Sequence, residues 1–488
     1  MRLQFRARVT AGEAALDTAI RAVTVAEVNG ATLVYAATGA EGGLSVYRLG
    51  AAGGLSLHDS AGFAPAMAGA PARDVALAWV GEEAVLLLGA GEGGLMAHGL
   101  AADGTFGQMH APVPLDPGAA GAARLDYLPG TGAGGMLALA GGGLYAMDGA
   151  GGLAAVAAPV AQGDPGLALA LLQGQAGPVL LRATPDGIVD AATGGAAQGF
   201  GVAAPTAVEA IAAHGAQFVI VGGAGSHSLS VLERAADGGL VLRDHLIDSR
   251  FSRFADLQDI AVAQVAGQVF VVAGGSDDGL SLLTLLPDGR LIHLDTIASA
   301  AGARLDGITR LAMAQAQDAL QIVAATEGNP GLAHLAVATG NIGAVLRGAG
   351  TLSGGAGDDL LVAEGAGGVL RGGAGDDILV AGPSGGTLSG GAGADLFVMR
   401  AGGGAVRITD FDPAQDRLDL SDYMMLRSPD QLSVTSVPGG ARIAFRDEVL
   451  TLDSHDGRTL GREELFGRAF EGPDRITLFT APDPPPPD

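Results

Sequence analysis

Three nine-residue segments near the carboxyl end most restrict how this 488-residue chain can fold. They read Gly354-Gly-Ala-Gly-Asp-Asp-Leu-Leu-Val362, Gly372-Gly-Ala-Gly-Asp-Asp-Ile-Leu-Val380 and Gly390-Gly-Ala-Gly-Ala-Asp-Leu-Phe-Val398, and they begin 18 residues apart. Glycine permits tight turns with positive φ, and the apolar run that follows suits a short strand. A repeat in this register predicts turn-and-strand units that stack on one another, with Leu361, Leu379 and Phe397 pointing inward.

The pattern Gly-Gly-x-Gly-x-Asp-x-apolar-x resembles that of the RTX (hemolysin-type) repeat proteins, which bind calcium. The resemblance implies a parallel β-roll in which two nonapeptides complete one coil and Ca²⁺ lies between the turns of successive coils. Glycine turns bring carbonyl oxygens together and aspartate adds a carboxylate, which suits a hard cation. The implied metal-site residues are Gly354, Gly355, Gly357, Asp359, Gly372, Gly373, Gly375, Asp377, Gly390, Gly391, Gly393 and Asp395.

The intervening units lack this carboxylate, since the sixth place is occupied by Gly350, Gly368 and Gly386. We therefore expect calcium on one side of the roll only. Two full sites are expected, one between the Asp359 and Asp377 turns and one between the Asp377 and Asp395 turns, with at most a partial site at an end. On the opposite side, residues 369–370 and 387–388 are expected to point inward.

Residues 398–421 resemble the Ile-x-Asp-Phe-x-x-x-x-Asp-x-Ile-Asp-Leu-Ser segment that caps the roll in serralysin-type secreted proteins. The resemblance implies a β-rich cap that carries a signal for a type I secretion exporter. Strands are predicted at residues 431–437, 441–445 and 448–452, and a short helix at 461–466. The proline-rich tail, residues 473–488, is expected to be flexible.

A longer period runs through the first 340 residues. A Gly-Leu-like element recurs at a mean spacing of about 48 residues, a length typical of propeller blades. The element occurs at Leu44, Leu95, Leu144, Ile188, Leu229, Leu280 and Leu332. This spacing predicts a seven-bladed β-propeller. Its last blade lacks one strand, which residues 3–9 are expected to supply. A solenoid of stacked sheets is the alternative, but it leaves that strand unpaired.

Composition excludes several classes of protein. The formal net charge is −25, and every basic residue is arginine, so a basic surface for nucleic acid is not expected. The chain has no cysteine, which removes disulfides and thiolate metal sites. Glycine and charged residues interrupt every apolar run before it could span a bilayer, so no transmembrane segment is expected. The amino end carries Arg and Glu where an amino-terminal secretory signal would be apolar.

These observations predict an all-β protein with four regions. Residues 1–340 form the propeller, 341–400 the β-roll, 401–472 the cap and secretion region, and 473–488 the tail. The expected function is a secreted, calcium-binding surface or extracellular-matrix protein whose propeller binds a glycan, another cell-surface ligand or a second copy. A secreted, lactonase-like hydrolase that uses the propeller channel is one alternative, and a subunit of a surface layer or extracellular filament is another. No catalytic residue is assigned, since no triad signature or HExxH is found.

Overall fold

The structure is a computed structural model. It describes residues 1–39, 42–63, 74–80, 82–89, 95–109, 125–129, 135–139, 143–147, 153–155, 168–174, 177–184, 187–190, 202–300, 302–402, 404–466 and 472–476. The chain divides into two compact units. The amino-terminal unit contains residues 2–263 and 269–338, and the carboxyl-terminal unit contains residues 339–488 with Met1 and residues 264–268. The fold is all-β, as predicted.

The described part of the amino-terminal unit forms seven antiparallel sheets. Ahead of them lie β1 (Gln4–Val9) and a four-residue helix, α1 (Ala14–Asp17). The first three sheets contain β2 (Ala22–Val28), β3 (Ala31–Ala37), β4 (Gly43–Leu49) and β5 (Leu55–Gly62); β6 (Asp74–Val80), β7 (Glu83–Gly89), β8 (Leu95–Leu100) and β9 (Phe106–Met109); and β10 (Leu125–Pro129), β11 (Gly135–Leu139), β12 (Gly143–Met147) and β13 (Leu153–Ala155).

The remaining sheets follow in chain order. They contain β14 (Ala168–Gly174), β15 (Gly177–Thr184) and β16 (Gly187–Asp190); β17 (Pro205–Ala213), β18 (Ala216–Gly223), β19 (Ser228–Arg234) and β20 (Leu240–Ile247); β21 (Asp259–Val265), β22 (Gln268–Gly274), β23 (Gly279–Leu285) and β24 (Leu291–Ala298); and β25 (Ile308–Ala316), β26 (Ala319–Thr326) and β27 (Leu332–Ala338). All seven copies of the Gly-Leu-like element fall at or next to the start of the third strand of their sheet. The second and third strands are the most buried, which explains their apolar sequence.

The last of these sheets joins the two ends of the amino-terminal unit. Strand β1 pairs antiparallel with β27, giving the strand order β1-β27-β26-β25. The backbone N–H of Leu3 also donates to Oδ2 of Asp295, within β24, at 2.7 Å. The predicted strand at residues 3–9 therefore completes this sheet, and the edge of β27 is covered.

Neighbouring sheets are joined by apolar cores and by aspartates. One core combines Tyr47 of the first sheet with Val323 of the last. At the edges between sheets, an aspartate carboxylate accepts a hydrogen bond from a backbone N–H of the next sheet. Examples are Asp126 with the N–H of Leu171 at 2.7 Å and Asp259 with that of Leu311 at 2.8 Å. Each such bond satisfies a carboxylate that packing would otherwise strip of water.

The carboxyl-terminal unit begins with a parallel β-solenoid of about four turns over residues 342–419. One of its sheets has the order β28-β30-β32-β34-β36 and the other begins β29-β31-β33-β35. The strands are β28 (Ile342–Gly348), β29 (Thr351–Ser353), β30 (Asp358–Ala363), β31 (Gly368–Ala374), β32 (Ile378–Val380), β33 (Gly386–Ala392), β34 (Leu396–Val398), β35 (Ala405–Phe411) and β36 (Arg417–Asp419).

The register of the solenoid explains its repeat. Leu361 pairs with Leu379, and Leu379 with Phe397, so each coil places an apolar side chain above the one before it. All three side chains are completely buried in one core, as predicted. On the other sheet Leu370 and Leu388 are buried, but Val369 and Thr387 lie only partly buried. The prediction that both members of these pairs point inward is wrong, because successive side chains of a strand face opposite sides.

A β-rich cap follows the solenoid. It contains a 3-10 turn (Pro429–Gln431), strands β37 (Ser433–Val437), β38 (Gly440–Phe445) and β39 (Glu448–Ser454), and helix α2 (Arg462–Leu465). A two-residue strand, β40 (Asp474–Arg475), lies within the predicted tail. Strand β39 pairs parallel with β35, so the cap continues a solenoid sheet. The predicted strands and helix are confirmed. The flexible tail stays a prediction, and residues 477–488 lie outside the described residues. No described helix combines the length and apolar character that crossing a bilayer requires.

Deleting residues 1–10 should destabilise the amino-terminal unit. The deletion exposes the edge of β27 and removes five registered residue pairs, and at about 1 kcal/mol per backbone hydrogen bond the loss should be about 3 kcal/mol or more. Trp79, the single tryptophan, lies in β6 and reports unfolding of this unit in urea. Deletion of residues 481–488 is the control and should leave the curve unchanged. An unchanged midpoint after deletion of residues 1–10 would show that β1 contributes nothing to this sheet.

Candidate metal centre

A column of aspartates runs along one side of the solenoid. Asp359, Asp377 and Asp395 are buried, with exposures of 3%, 1% and 1%. The backbone N–H of Asp359 donates to Asp377 Oδ1 at 2.8 Å, and the N–H of Asp377 donates to Asp395 Oδ1 at 2.9 Å. The coil repeat therefore stacks the sixth-place aspartates of the three nonapeptides directly on one another.

The column has a fourth member that sequence reasoning missed. The N–H of Asp395 donates to Asp416 Oδ1 at 3.0 Å, so Asp416 occupies the sixth place of a further coil. Here the separation is 21 residues, whereas it is 18 between Asp377 and Asp395. The sequence does place Asp416 in the serralysin-like segment. Because the last separation is three residues longer than the 18-residue repeat, the repeat alone does not align Asp416 with the other aspartates. Leu396 pairs with Arg417, which fixes that register in the structure.

Two oxygens of the column are buried without a hydrogen-bond partner. They are Asp377 Oδ2 and Asp395 Oδ2. Asp359 differs, because its Oδ1 accepts from the N–H of Ala344 at 2.5 Å and its Oδ2 from the N–H of Gly355 at 2.6 Å. A buried acceptor without a donor is costly, so the positions of Asp377 and Asp395 are the ones that a cation would relieve.

The glycines of the repeats leave room for these carboxylates. A Cβ at Gly372 would collide with both Asp377 Oδ2 and the carbonyl oxygen of Gly390, so these two oxygens flank the same point. Gly354 has the same relation to Asp359 Oδ2 and the carbonyl of Gly372. Glycine is therefore needed at the first place because the carboxylate and the carbonyl oxygen approach the backbone closely. Neither Gly354 nor Gly372 has a positive φ, so backbone conformation does not require glycine there.

Other glycines let successive turns stack. A Cβ at Gly373 would meet the carbonyl of Gly355, and one at Gly391 would meet the carbonyl of Gly373. Gly375 and Gly393 lie in the same way over the coil before them and, like Gly373 and Gly391, have positive φ. At Gly357 a Cβ would approach the carbonyl of Asn341, whereas at Gly355 it would meet nothing within 4 Å.

The electrostatics of the column oppose full ionisation. Burial, and secondarily the neighbouring carboxylates, raise the pKa of Asp377 to about 8. For the same reasons the pKa of Asp395 rises to about 6, and that of Asp416 to about 7. Hydrogen bonds from backbone N–H groups oppose these shifts without cancelling them. A divalent cation would supply the positive charge that the column lacks.

A second ladder of side chains lies beside the column. Asp358 Oδ1 accepts from the N–H of Asp376 at 2.8 Å and from Asn341 Nδ2 at 2.8 Å. Asp376 Oδ1 accepts in turn from the N–H of Ala394 at 2.9 Å. These fifth-place carboxylates are partly exposed. They accept hydrogen bonds from the following coil, whereas Asp377 and Asp395 of the buried column accept them from the preceding coil. They add negative charge beside the candidate site.

Side chains alone do not form a complete metal site. Within the described ranges, no group of three or more His, Cys, Asp or Glu side chains is placed to hold a metal ion. A cation on the column would therefore take backbone carbonyls as well as carboxylates. The unpartnered oxygen of Asp377 beside the carbonyl of Gly390 has this mixed character, so the residues fit a hard cation with oxygen ligands.

The amino-terminal unit holds a separate candidate, a cavity of about 370 Å³ between the first strands of its sheets. Asp74, Asp126, Glu209 and Asp259 line it, together with Arg310. Burial, and then the charges of the three aspartates, raise the pKa of Glu209 well above its ordinary value. The described lining contains no Ser, Cys or His, so no serine- or cysteine-type nucleophile with its base is found there.

Comparisons with known proteins leave the family open. No family model matches the chain, and a search of curated proteins gives no match either. Among solved structures, a chain from "Crystal Structure of Mitotic Checkpoint Complex" is similar, with a TM-score of 0.43 and 15% identity over 69% of this chain and 91% of that chain. The RTX resemblance therefore stays a prediction from the residues.

Gly372→Ala should destabilise the solenoid, because its Cβ would strike a buried carboxylate and a main-chain carbonyl. Overpacking of this kind costs about 1 to 3 kcal/mol, which corresponds to about 5- to 150-fold faster amide exchange. Hydrogen exchange followed by mass spectrometry over residues 342–419 measures it. Gly355→Ala is the matched control and should exchange like the wild type, since its Cβ meets nothing. Equal exchange in the two variants would contradict the packing.

Glu209→Gln should stabilise the amino-terminal unit at pH 8 and have little effect near pH 4. The raised pKa means that unfolding releases a proton at neutral pH, so stability falls as pH rises above the unfolded value of about 4.3. The loss is at most about 1.4 kcal/mol per pH unit, and glutamine removes it. Urea unfolding followed by Trp79 at both pH values measures the difference. The control Glu83→Gln, on an exposed side chain, should show none. A pH-independent effect of Glu209→Gln would refute the assignment.

Proposed function

We propose that this chain is a calcium-stabilised extracellular protein of the RTX type. The observation that carries the proposal is the buried aspartate column, in which Asp377 Oδ2 and Asp395 Oδ2 have no donor. Burying unpaired carboxylates is unfavourable unless a cation pairs with them. Calcium is the cation of choice, because it accepts a mixture of carboxylate and carbonyl oxygens in flexible geometry and is plentiful outside cells.

The RTX resemblance also supports a route of export. The serralysin-like segment and the cap after residue 402 would carry the signal for a type I exporter. Extracellular calcium modules bind at about 10⁻⁴ to 10⁻³ M, so the solenoid would stay unliganded in a submicromolar cytosol and gain stability after export. This order would keep the solenoid unfolded during transport and fold it outside.

For the amino-terminal unit we propose a seven-bladed β-propeller that acts as the binding or adhesive module. Three features support it. Seven sheets follow one another in chain order, the last sheet takes its fourth strand from the amino end, and one core joins the first and last sheets. Closing the ring with a strand from the amino end is a way for a propeller to avoid an exposed edge. The ligand class is a glycan, another cell-surface group or a second copy of the chain.

A hydrolase remains the second candidate, because the acidic cavity of the amino-terminal unit is large enough for a small ligand. Purified protein separates the classes. Turnover on a panel of esters, lactones and polysaccharides would favour the hydrolase. Calcium-driven polymerisation would favour a surface-layer or filament subunit. Retention on glycans or cells with neither activity would favour adhesion.

Calcium titration of the full chain after removal of divalent ions tests the metal proposal. Wild type should bind calcium and gain protection in residues 342–419, whereas the amino-terminal unit should stay folded in EDTA. Of the two sites between regular coils, Asp377→Asn should weaken both, because Asp377 faces both of them, whereas Asp359 and Asp395 serve one of these two each. A fall of at least tenfold in affinity is expected, with a smaller loss for Asp359→Asn.

The charge-matched control for this titration is Asp453→Asn in the cap, where Asp453 pairs with Arg407 at 2.7 Å. It should bind calcium like the wild type. If wild type shows no calcium binding by calorimetry, the proposed function is wrong. If Asp377→Asn binds as many ions as the control with equal affinity, the column is not the site.

A further inference from the structure

The aspartate column ends in a coil of unusual form. In a regular coil the N–H of Gly354 donates to a backbone carbonyl of the next coil, that of Arg371, at 2.8 Å. At the last repeat the N–H of Gly390 donates instead to a side chain, Asp410 Oδ1, at 3.1 Å. The longer separation of the final coil, 21 residues, brings this aspartate into the place of the missing carbonyl.

Asp410 is held firmly in that place. Its Oδ2 accepts from Ser389 Oγ at 2.7 Å and from the N–H of Gly391 at 3.1 Å. A carboxylate has lone pairs for further partners beyond these bonds. The turn that begins at Gly390 therefore faces a negative group where the other turns face a neutral one.

An unpartnered carboxylate oxygen points to the same place. Asp395 is 99% buried, and its Oδ2 has no hydrogen-bond partner. A Cβ built on Gly390 would collide with this oxygen, so Asp395 Oδ2 lies directly against the residue whose N–H binds Asp410. Asp416, the next member of the column, accepts one backbone N–H group on each oxygen, those of Asp395 and Asp412.

We infer a further calcium position at the carboxyl end of the column, between the turn of Asp395 and the side chain of Asp410. This inference rests on the proposed function and adds a site beyond the two between regular coils. The position at Asp377 offers an unpartnered carboxylate oxygen beside the neutral carbonyl of Gly390. The terminal position offers the same kind of oxygen beside a second carboxylate. Because ligand charge raises calcium affinity, the terminal ion is the tightest bound.

Calorimetric titration of the full chain with CaCl₂ after chelator treatment tests the inference. Wild type should show one ion at least tenfold tighter than the others. Asp410→Asn preserves volume and an acceptor oxygen, and it should abolish this tight class while leaving the weaker ions. Asp453→Asn removes the same charge from the cap and should titrate like the wild type. Circular dichroism in excess calcium checks that each variant is folded.

The possible outcomes are separable. If wild type binds no calcium, the proposed function and the terminal position both fail. If wild type binds calcium but Asp410→Asn titrates like Asp453→Asn, the terminal position is refuted and the proposed function stands. If Asp410→Asn does not fold, Asp395→Asn is titrated in its place. The amide oxygen of the introduced asparagine can still accept the hydrogen bond from the N–H of Asp377. Loss of the tight ion then supports the position, and an unchanged titration overturns it.

Discussion

The stacking of identical glycine turns at one fixed repeat is the constraint on which the carboxyl-terminal unit depends. A turn can lie directly on the one before it only where no Cβ intervenes, as at Gly373 and Gly391 over the preceding carbonyls. That stacking places Asp359, Asp377 and Asp395 in one column and Leu361, Leu379 and Phe397 in one core. The candidate metal site and the hydrophobic core are thus two consequences of one repeat.

Buried carboxylates at the sheet edges of the amino-terminal unit are paired differently from those of the solenoid column. In the amino-terminal unit, aspartates such as Asp126 and Asp259 accept N–H groups from the neighbouring sheet and act as connectors. In the solenoid, each of two buried aspartates keeps an oxygen without a donor, and burial raises the pKa of Asp377 to about 8. In the first arrangement the protein itself supplies hydrogen-bond donors to the carboxylates. In the second, a bound cation would pair with the oxygens that lack a donor. This contrast is the physical reason to place calcium in the solenoid.

The final coil shows how a regular repeat can be ended. Asp410 replaces a backbone carbonyl, and Asp416 continues the aspartate column, although the surrounding sequence no longer contains Gly-Gly-x-Gly. Strand β39 then pairs with β35, and the cap covers the apolar end of the coil. A solenoid without such an end would expose apolar surface and unpaired strands to other chains. The cap therefore protects the solenoid, and it is also where the resemblance places export.

The sequence by itself determined the all-β class, the coil repeat, the inward Leu361, Leu379 and Phe397, and the third strands of the seven sheets. These follow from local periodicity and from the special freedom of glycine, which a single sequence displays. The sequence also predicted that residues 3–9 complete the last sheet, because one strand was missing there. Only the tertiary structure decided that Asp416 joins the column, that Asp410 stands in for a carbonyl, and which carboxylate oxygens lack a donor. Those facts depend on contacts between coils whose spacing changes from 18 to 21 residues, and on burial, which no local pattern records.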